Sequence, residues 1–367
     1  MPSLSTIQST ISELNKGPPI TVALPGGTTG IGSYIARALA TTYANHGNKL
    51  RVYIIGRNAT RAENVLSECR KTSPGSEWRF IQTPDLALIS EVDRCCAEIV
   101  RQETQAPFHG GKARLDLLYM TYSYPVLKER SSETYRNSLC VRELTSRIAT
   151  AEGLDSFLAT VYYTRIRFIL QLLPLLTASP LPAHAVSVYA GTFEDGTKPG
   201  QFPVGCPTDA AYGVGAVRKH ASFMKTMIFE ELAKKHAGNL RLTHIYPGLV
   251  DGPTFLGPDS PMWFKILWRF SKPLMSWYMT APDVCGQVMV YLATAKYPAQ
   301  GAISDGKDVA RSSQGERGGG SYSVGQKADA SKGIMYEKVR QADTKEKIWR
   351  HTMETLERAE KAGRLSK

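Results

Sequence analysis

The stretch Val22-Ala23-Leu24-Pro25-Gly26-Gly27-Thr28-Thr29-Gly30-Ile31-Gly32 constrains this chain more than any other. The apolar run Ile20 to Leu24 leads into it and reads as a buried strand. The amphipathic stretch Ile31 to Tyr43 leads out of it and reads as a helix. A glycine-rich turn between a strand and a helix has a physical use. Without a Cβ the backbone turns tightly and an anion can approach it closely. The helix start offers unpaired N–H groups and the positive end of its dipole. Gly26, Thr28, Thr29, Gly30, Ile31 and Gly32 are therefore expected to cradle the pyrophosphate of a dinucleotide.

The same alternation continues. Leu50–Ile55, Trp78–Ile81, Leu115–Met120, Ala185–Tyr189 and Leu240–Tyr246 read as strands. Arg61–Arg70, Leu154–Leu176 and Asp209–Ala237 read as helices. Such a series predicts an α/β chain with a Rossmann-like, doubly wound parallel sheet. Ligands of such sheets bind at the carboxyl ends of the strands. The pattern divides the chain into an N-terminal arm (1–17), the α/β domain (18–300), a Gly-rich loop or insert around a short strand (301–335) and a C-terminal helical extension (336–367). A lid is expected at about 252–280, before a helix over Pro282–Ala295. Its aromatic core, Met262-Trp263-Phe264-Lys265-Ile266-Leu267-Trp268-Arg269-Phe270, suits closure over a small, bulky hydrophobic substrate. A weak interfacial membrane contact is the alternative.

Composition narrows the class. With 42% apolar and 21% charged residues over 367 positions, a sizeable core is expected and wholesale disorder is excluded. Forty-five Lys and Arg against 33 Asp and Glu leave a net charge of +12. The basic residues form no dense block, so anionic ligands are favoured and no nucleic-acid partner is expected. Six cysteines without a C-x-x-C pair suit a reducing compartment. The N-terminus shows no secretory signal, and the apolar stretch Phe157–Leu176 carries Arg165, Arg167 and Gln171. No transmembrane span and a cytoplasmic location are therefore expected; an oligomer is compatible with all of this.

The end of the second strand, Ile54-Ile55-Gly56-Arg57-Asn58, carries no acid. An acid there would serve the ribose hydroxyl of NAD, whereas the planar fork of Arg57 suits a 2′-phosphate. NADP(H) is the expected cofactor. The turn at Gly26, Gly30 and Gly32, the Gly56-Arg57-Asn58 strand end, Asp85-Leu86 after the third strand and Tyr246-Pro247-Gly248-Leu249-Val250 after the sixth resemble the short-chain dehydrogenase/reductase superfamily over residues 18–300. Leu154 to Thr160, Glu230-Glu231-Leu232-Ala233 and the aromatic insert are similar to a divergent branch common in fungal secondary metabolism. The resemblance implies cofactor contacts at Asn58, Asp85 and Leu86, and places Pro247, Gly248 and Val250 beside the nicotinamide.

The departures fall on the catalytic positions. The superfamily uses an Asn, a Ser, a Tyr and a Lys four residues beyond the Tyr. The first two positions align with Val161 and Ala190, and Met120-Thr121-Tyr122-Ser123 replaces the usual Asn-Asn-Ala-Gly. Anchoring on Tyr212 puts Ala216 at the Lys position. Anchoring on Glu231 puts Val214 and Arg218 at the Tyr and Lys positions. Tyr124 and Lys128 have the right spacing, but Pro125 and a loop setting make it a chance match. Tyr212, Tyr189 and Arg218 are the candidate catalytic residues. Lys219 is expected on the Tyr212 face but roughly 10 Å further along the helix. Gly213 and Gly215 fit either close approach to a ligand or a late helix start. Without a cation four residues on, Tyr212 is expected to keep a pKa of about 10. Tyr122 and Tyr124 are candidate pocket residues, and Glu194 and Asp195 read as a solvated loop. The seven histidines lack metal-ligand spacing, so no metal is expected, and no nucleophile elbow occurs. Three readings stay open: an NADP(H)-dependent carbonyl, enone or imine oxidoreductase with a degenerate tetrad, a scaffold performing cyclisation, isomerisation or dehydration, and a catalytically silent nucleotide-binding protein.

Overall fold

Apolar runs without polar alternation belong to strands covered on both faces. The computed structural model, which describes residues 2–123, 147–192, 202–252, 262–302, 308–328 and 343–365, bears this out. Seven strands, β1 (Ile20–Pro25), β2 (Leu50–Gly56), β3 (Glu77–Gln82), β4 (Leu117–Met120), β5 (Ala183–Val188), β6 (Leu240–Ile245) and β7 (Ser321–Val324), form one sheet. Their order is β3-β2-β1-β4-β5-β6-β7, with every pairing parallel. β7 is the short strand expected within 301–335 and pairs along β6 from Leu242 with Ser321 to Ile245 with Val324.

Successive side chains of a strand face opposite layers. Val22, Leu24, Val52 and Ile54 face α1 (Leu4–Ile11), α2 (Gly30–Thr42), α3 (Ala59–Thr72) and α9 (Pro282–Tyr291). Ala23, Tyr53 and Ile55 face α4 (Ile89–Gln105), α6 (Thr164–Thr177), α7 (Val214–Lys235) and α10 (Thr344–Leu365). After β3 the chain returns through α4 to lay β4 on the free side of β1. That reversal opens a crevice at the carboxyl ends of β1 and β4.

Some helix starts are supplied from afar. The N-terminus of α4, an element the sequence reading passed over, is capped by the buried Glu152 carboxylate, which accepts from Ile89 N at 2.5 Å and Ser90 N at 2.9 Å. Leu88, the residue at the cap, has no side-chain acceptor to offer. The long helix expected over Leu154–Leu176 is three pieces: α5 (Ser156–Leu158), a π turn at Ala159–Tyr163, and α6. The helix expected from Asp209 is also broken. A 3₁₀ turn at Asp209–Ala211 gives way to extended backbone at Tyr212, and α7 begins at Val214. The late start that Gly213 and Gly215 allowed is present: Gly213 stands at the N-cap of α7. α10 closes over this layer through Arg167 to Glu360 at 2.9 Å and Lys345 to Glu230 at 2.9 Å.

Candidate active site

The glycine turn lies at the crevice. Gly26 and Gly30 have φ of +87° and +53°. A Cβ on Gly26 would come within 2.6 Å of Tyr122 N, so the first glycine lets the end of β1 meet the end of β4. A Cβ on Gly32 would fall 2.2 Å from the Gly26 carbonyl oxygen, so the third lets α2 pack on the turn. Thr29 caps α2 with extended backbone and no side-chain hydrogen bond, which leaves the first N–H groups of the helix to a ligand. Thr28 lies over Gly56, where a Cβ would meet its Cγ2 at 2.6 Å. Ile31 packs against the α2 layer.

At the end of β2 Arg57 is exposed beside this turn. The Asn58 side chain is already engaged: its Oδ1 caps α3 by accepting from Arg61 N at 2.8 Å. Asp85 Oδ1 accepts from Ala87 N at 2.8 Å, and Leu86 is buried. After β6, Gly248 has φ +78°, and a Cβ there would collide with Gln326 Oε1 at 2.0 Å. Pro247 and Gly248 lead to Val250, which bridges Thr280. The residues present therefore fit a dinucleotide: a turn that excludes side chains, an uncapped helix start and an exposed guanidinium one strand away.

The tyrosines separate sharply. Tyr212 donates to Asp155 Oδ2 at 2.7 Å, while Asp155 Oδ1 caps α5 through Leu158 N at 2.7 Å. Burial, and then the Asp155 carboxylate, drive the Tyr212 pKa far above its ordinary value. The expectation of a pKa near 10 is thus corrected, because it ignored an acid remote in sequence. The shared face of Tyr212 and Lys219 is corrected too, since Tyr212 precedes the helix that carries Lys219.

Tyr189, just beyond β5, has a buried hydroxyl beside Arg218. Three cations surround its ring: Lys225 Nζ at 5.7 Å, Arg218 Cζ at 5.8 Å and Arg165 Cζ at 6.0 Å. Phe157 meets the ring edge-on at 6.2 Å. Burial raises the Tyr189 pKa, and Arg218 and Arg165 pull it down in part. Arg218 and Lys225 stand seven residues apart on α7, two turns, and so share a face. Tyr189 and Arg218 are brought together as candidates; Tyr212 is held at Asp155.

Sequence reasoning missed Arg165 and Lys225. The π turn widens the helix so that Thr164 N–H bonds Ala159 O, and Arg165 Nε reaches Thr160 O at 3.0 Å. Arg165 Nη1 donates to Ser187 Oγ at 2.8 Å and Val188 O at 3.0 Å, and Nη2 donates to Tyr122 O. This buried guanidinium ties the ends of β4 and β5 to the π turn using neutral acceptors only. Burial lowers its pKa to about 10. A charged residue inside an apolar run was the available signal. His244 is buried and accepts from Ala190 N at 3.1 Å; burial, with Lys225 and Arg165 nearby, keeps it neutral. Tyr122 is occupied by Thr164 Oγ1 at 2.9 Å. His220 Nδ1 bonds Gly205 O at 2.9 Å, so that side chain is engaged away from Tyr189. Tyr124, Lys128, Glu194 and Asp195 lie outside the described residues.

No protein-family model matches the chain. Oxidoreductase AN1596 of Emericella nidulans is 30% identical over 370 residues, 98% of this chain and 99% of that protein. Oxidoreductase andH of Emericella variicolor is 31% identical over 369 residues, 97% of each. The solved RhlG/NADP active-site complex of Pseudomonas aeruginosa is 17% identical, with a TM-score of 0.50 over 76% of this chain and 90% of that one, and shows the common fold. Short-chain dehydrogenase/reductase SAT2 of Stachybotrys chartarum is 54% identical over 363 residues, 97% of each chain. Likeness of that degree along nearly the whole of both chains leaves one conclusion: the chain belongs to the short-chain dehydrogenase/reductase family.

Proposed function

We propose that the protein is an NADP(H)-dependent oxidoreductase that reduces a carbonyl, enone or imine of a bulky hydrophobic secondary metabolite. The observation that carries this reading is the buried Tyr189 phenol, its ring set among Arg218, Lys225 and Arg165 at the carboxyl end of the sheet. A phenol held beside cations is a proton donor whose product anion is stabilised. The names of the fungal relatives, each a dehydrogenase/reductase or oxidoreductase, support redox chemistry. NADPH, when bound, supplies the hydride. Gly26, Thr28, Thr29, Gly30, Ile31 and Gly32 would hold its pyrophosphate, Arg57 its 2′-phosphate, Asp85 and Leu86 its adenine end, and Pro247, Gly248 and Val250 its nicotinamide end. Tyr189 gives the proton, Arg218 takes the place of the usual lysine, and Arg165 fixes the strand ends that position both. The inner face of α8 (Met262–Met275), with Phe264 stacked on Trp268, supplies an apolar cover. Five described cysteines, 69, 95, 96, 206 and 285, are free and suit a reducing cytoplasmic setting.

Calorimetry with both cofactors tests the core of this reading. NADPH should bind more tightly than NADH, and Arg57→Ala should remove about 1–3 kcal/mol of NADPH affinity. Equal affinities in the unmutated protein would overturn it. A second reading, a non-redox step, is favoured by the apolar Val161 and Ala190 at two catalytic positions. It requires turnover without any change at the nicotinamide absorbance band.

A further inference from the structure

A surface helix ordinarily turns its apolar face inward. Along α8 the larger apolar face is turned outward. Phe264 and Trp268 point to the protein, whereas Met262, Trp263, Ile266, Leu267, Phe270 and Leu274 are exposed, Phe270 by 73% and Leu274 by 78%. Successive residues of a helix are about 100° apart, so these six occupy an arc of about 140°. Lys265, Arg269 and Lys272 fall together on one flank of that arc, within about 60°. Trp277, exposed by 85%, and Tyr278 continue the surface. Of 13 large apolar side chains exposed among the described residues, nine lie between Met262 and Tyr278, six of them on this outer arc, so the exposure is concentrated in this segment.

We propose that this outer face of α8 lies on an anionic membrane surface, a role independent of the reading given for the active site. Charge chooses the occupant. From Met262 to Met279 there are three basic residues and no acid. Lys272 is bound to Asp251 at 2.9 Å and ties the helix to the loop after β6. Lys265 and Arg269 form no ion pair among the described residues and flank the apolar arc, where they reach the phosphates of anionic lipids. Trp263, Trp277 and Tyr278 carry a polar atom on an apolar ring and suit the headgroup layer. At 14 residues α8 is too short to span a bilayer, so it lies in the plane of the interface. This orientation places the inner face, with Phe264 and Trp268, between the lipid and the protein. An apolar metabolite dissolved in the bilayer would then meet the protein at its cover.

Co-sedimentation of the full chain with vesicles tests the proposal. Vesicles of phosphatidylcholine with phosphatidylserine should bind at least about tenfold more tightly than phosphatidylcholine alone, and added salt should weaken the binding. Lys265→Gln with Arg269→Gln should lower binding to the anionic vesicles by roughly 5- to 25-fold. Phe270→Ser with Leu274→Ser should abolish it while the melting temperature stays unchanged. The charge variant keeps every apolar residue, so it decides the matter even if the serine variant fails to fold. Failure of the unmutated chain to bind anionic vesicles would overturn the proposal. A stable dimer in solution that the serine variant dissociates would overturn it as well, because a second copy would then cover the face. Neither readout involves the cofactor, so the proposal fails or stands apart from the catalytic reading.

Discussion

Replacing Tyr189 by Phe removes one oxygen atom. That oxygen is buried beside Arg218, so its loss should change stability by no more than about 1 kcal/mol. If it donates the proton, hydride transfer should slow by about 10²–10⁴-fold, or about 2.7–5.5 kcal/mol of activation free energy. Tyr212→Phe should do the reverse. It breaks a 2.7 Å bond to the Asp155 carboxylate at a half-buried site, which should cost about 1–2 kcal/mol of stability. Its rate should stay within about threefold of the parent. Single-turnover hydride transfer, followed at the nicotinamide absorbance with a panel of apolar ketones and paired with thermal melts, separates the two variants. The pH dependence adds a sign. Burial raises the Tyr189 pKa, so the phenol is protonated through neutral pH and the reductive rate should be flat there. Oxidation needs the phenolate and should climb about tenfold per pH unit toward alkaline pH. Tyr212 is also raised, so the folded chain holds its proton more tightly than the unfolded chain. Its contribution to stability is complete below the unfolded pKa of about 10 and is lost as pH rises through the folded value. Tyr212→Phe should remove that part of alkaline unfolding. A Tyr189→Phe protein with full rate, beside a Tyr212→Phe protein slowed about 100-fold, would refute the assignment.

Two further outcomes follow from packing. Gly32→Ala puts a methyl 2.2 Å from the Gly26 carbonyl, so α2 must shift; calorimetry should find NADPH binding lost and melts should show at least about 2 kcal/mol of destabilisation. Arg165→Met leaves Thr160 O, Val188 O and Tyr122 O without their donor, and denaturant unfolding should show a loss of about 2–4 kcal/mol after relief of the buried charge, with slower hydride transfer because the ends of β4 and β5 come loose.

Several features were legible in the chain without a structure. The turn from Gly26 to Gly32 was one, because tight turning and close approach are demands that glycine meets locally. The strands β1, β2, β3, β5 and β6 were others, each found within about two residues of its end, since a strand covered on both faces must be apolar throughout. The order of these elements was enough to expect a doubly wound sheet. Elements held by distant partners were not legible. α4 depends on a carboxylate at Glu152; the short strand β7 was expected within 301–335, but its bounds and its place beside β6 are set by the pairing itself. The same division runs through the site. Arg57 and the glycines could be placed from their neighbours in sequence. Tyr212 could not, because its partner Asp155 lies 57 residues away, and neither could Arg165, whose direction is set by the π turn. Arg218 was named from its helix position, but Lys225 was not, and only the packed sheet brings the face of α7 that carries both to Tyr189. The direction in which α8 turns its aromatic residues was also undetermined, since periodicity shows that a helix has an apolar face and packing decides whether the protein or something outside it covers that face.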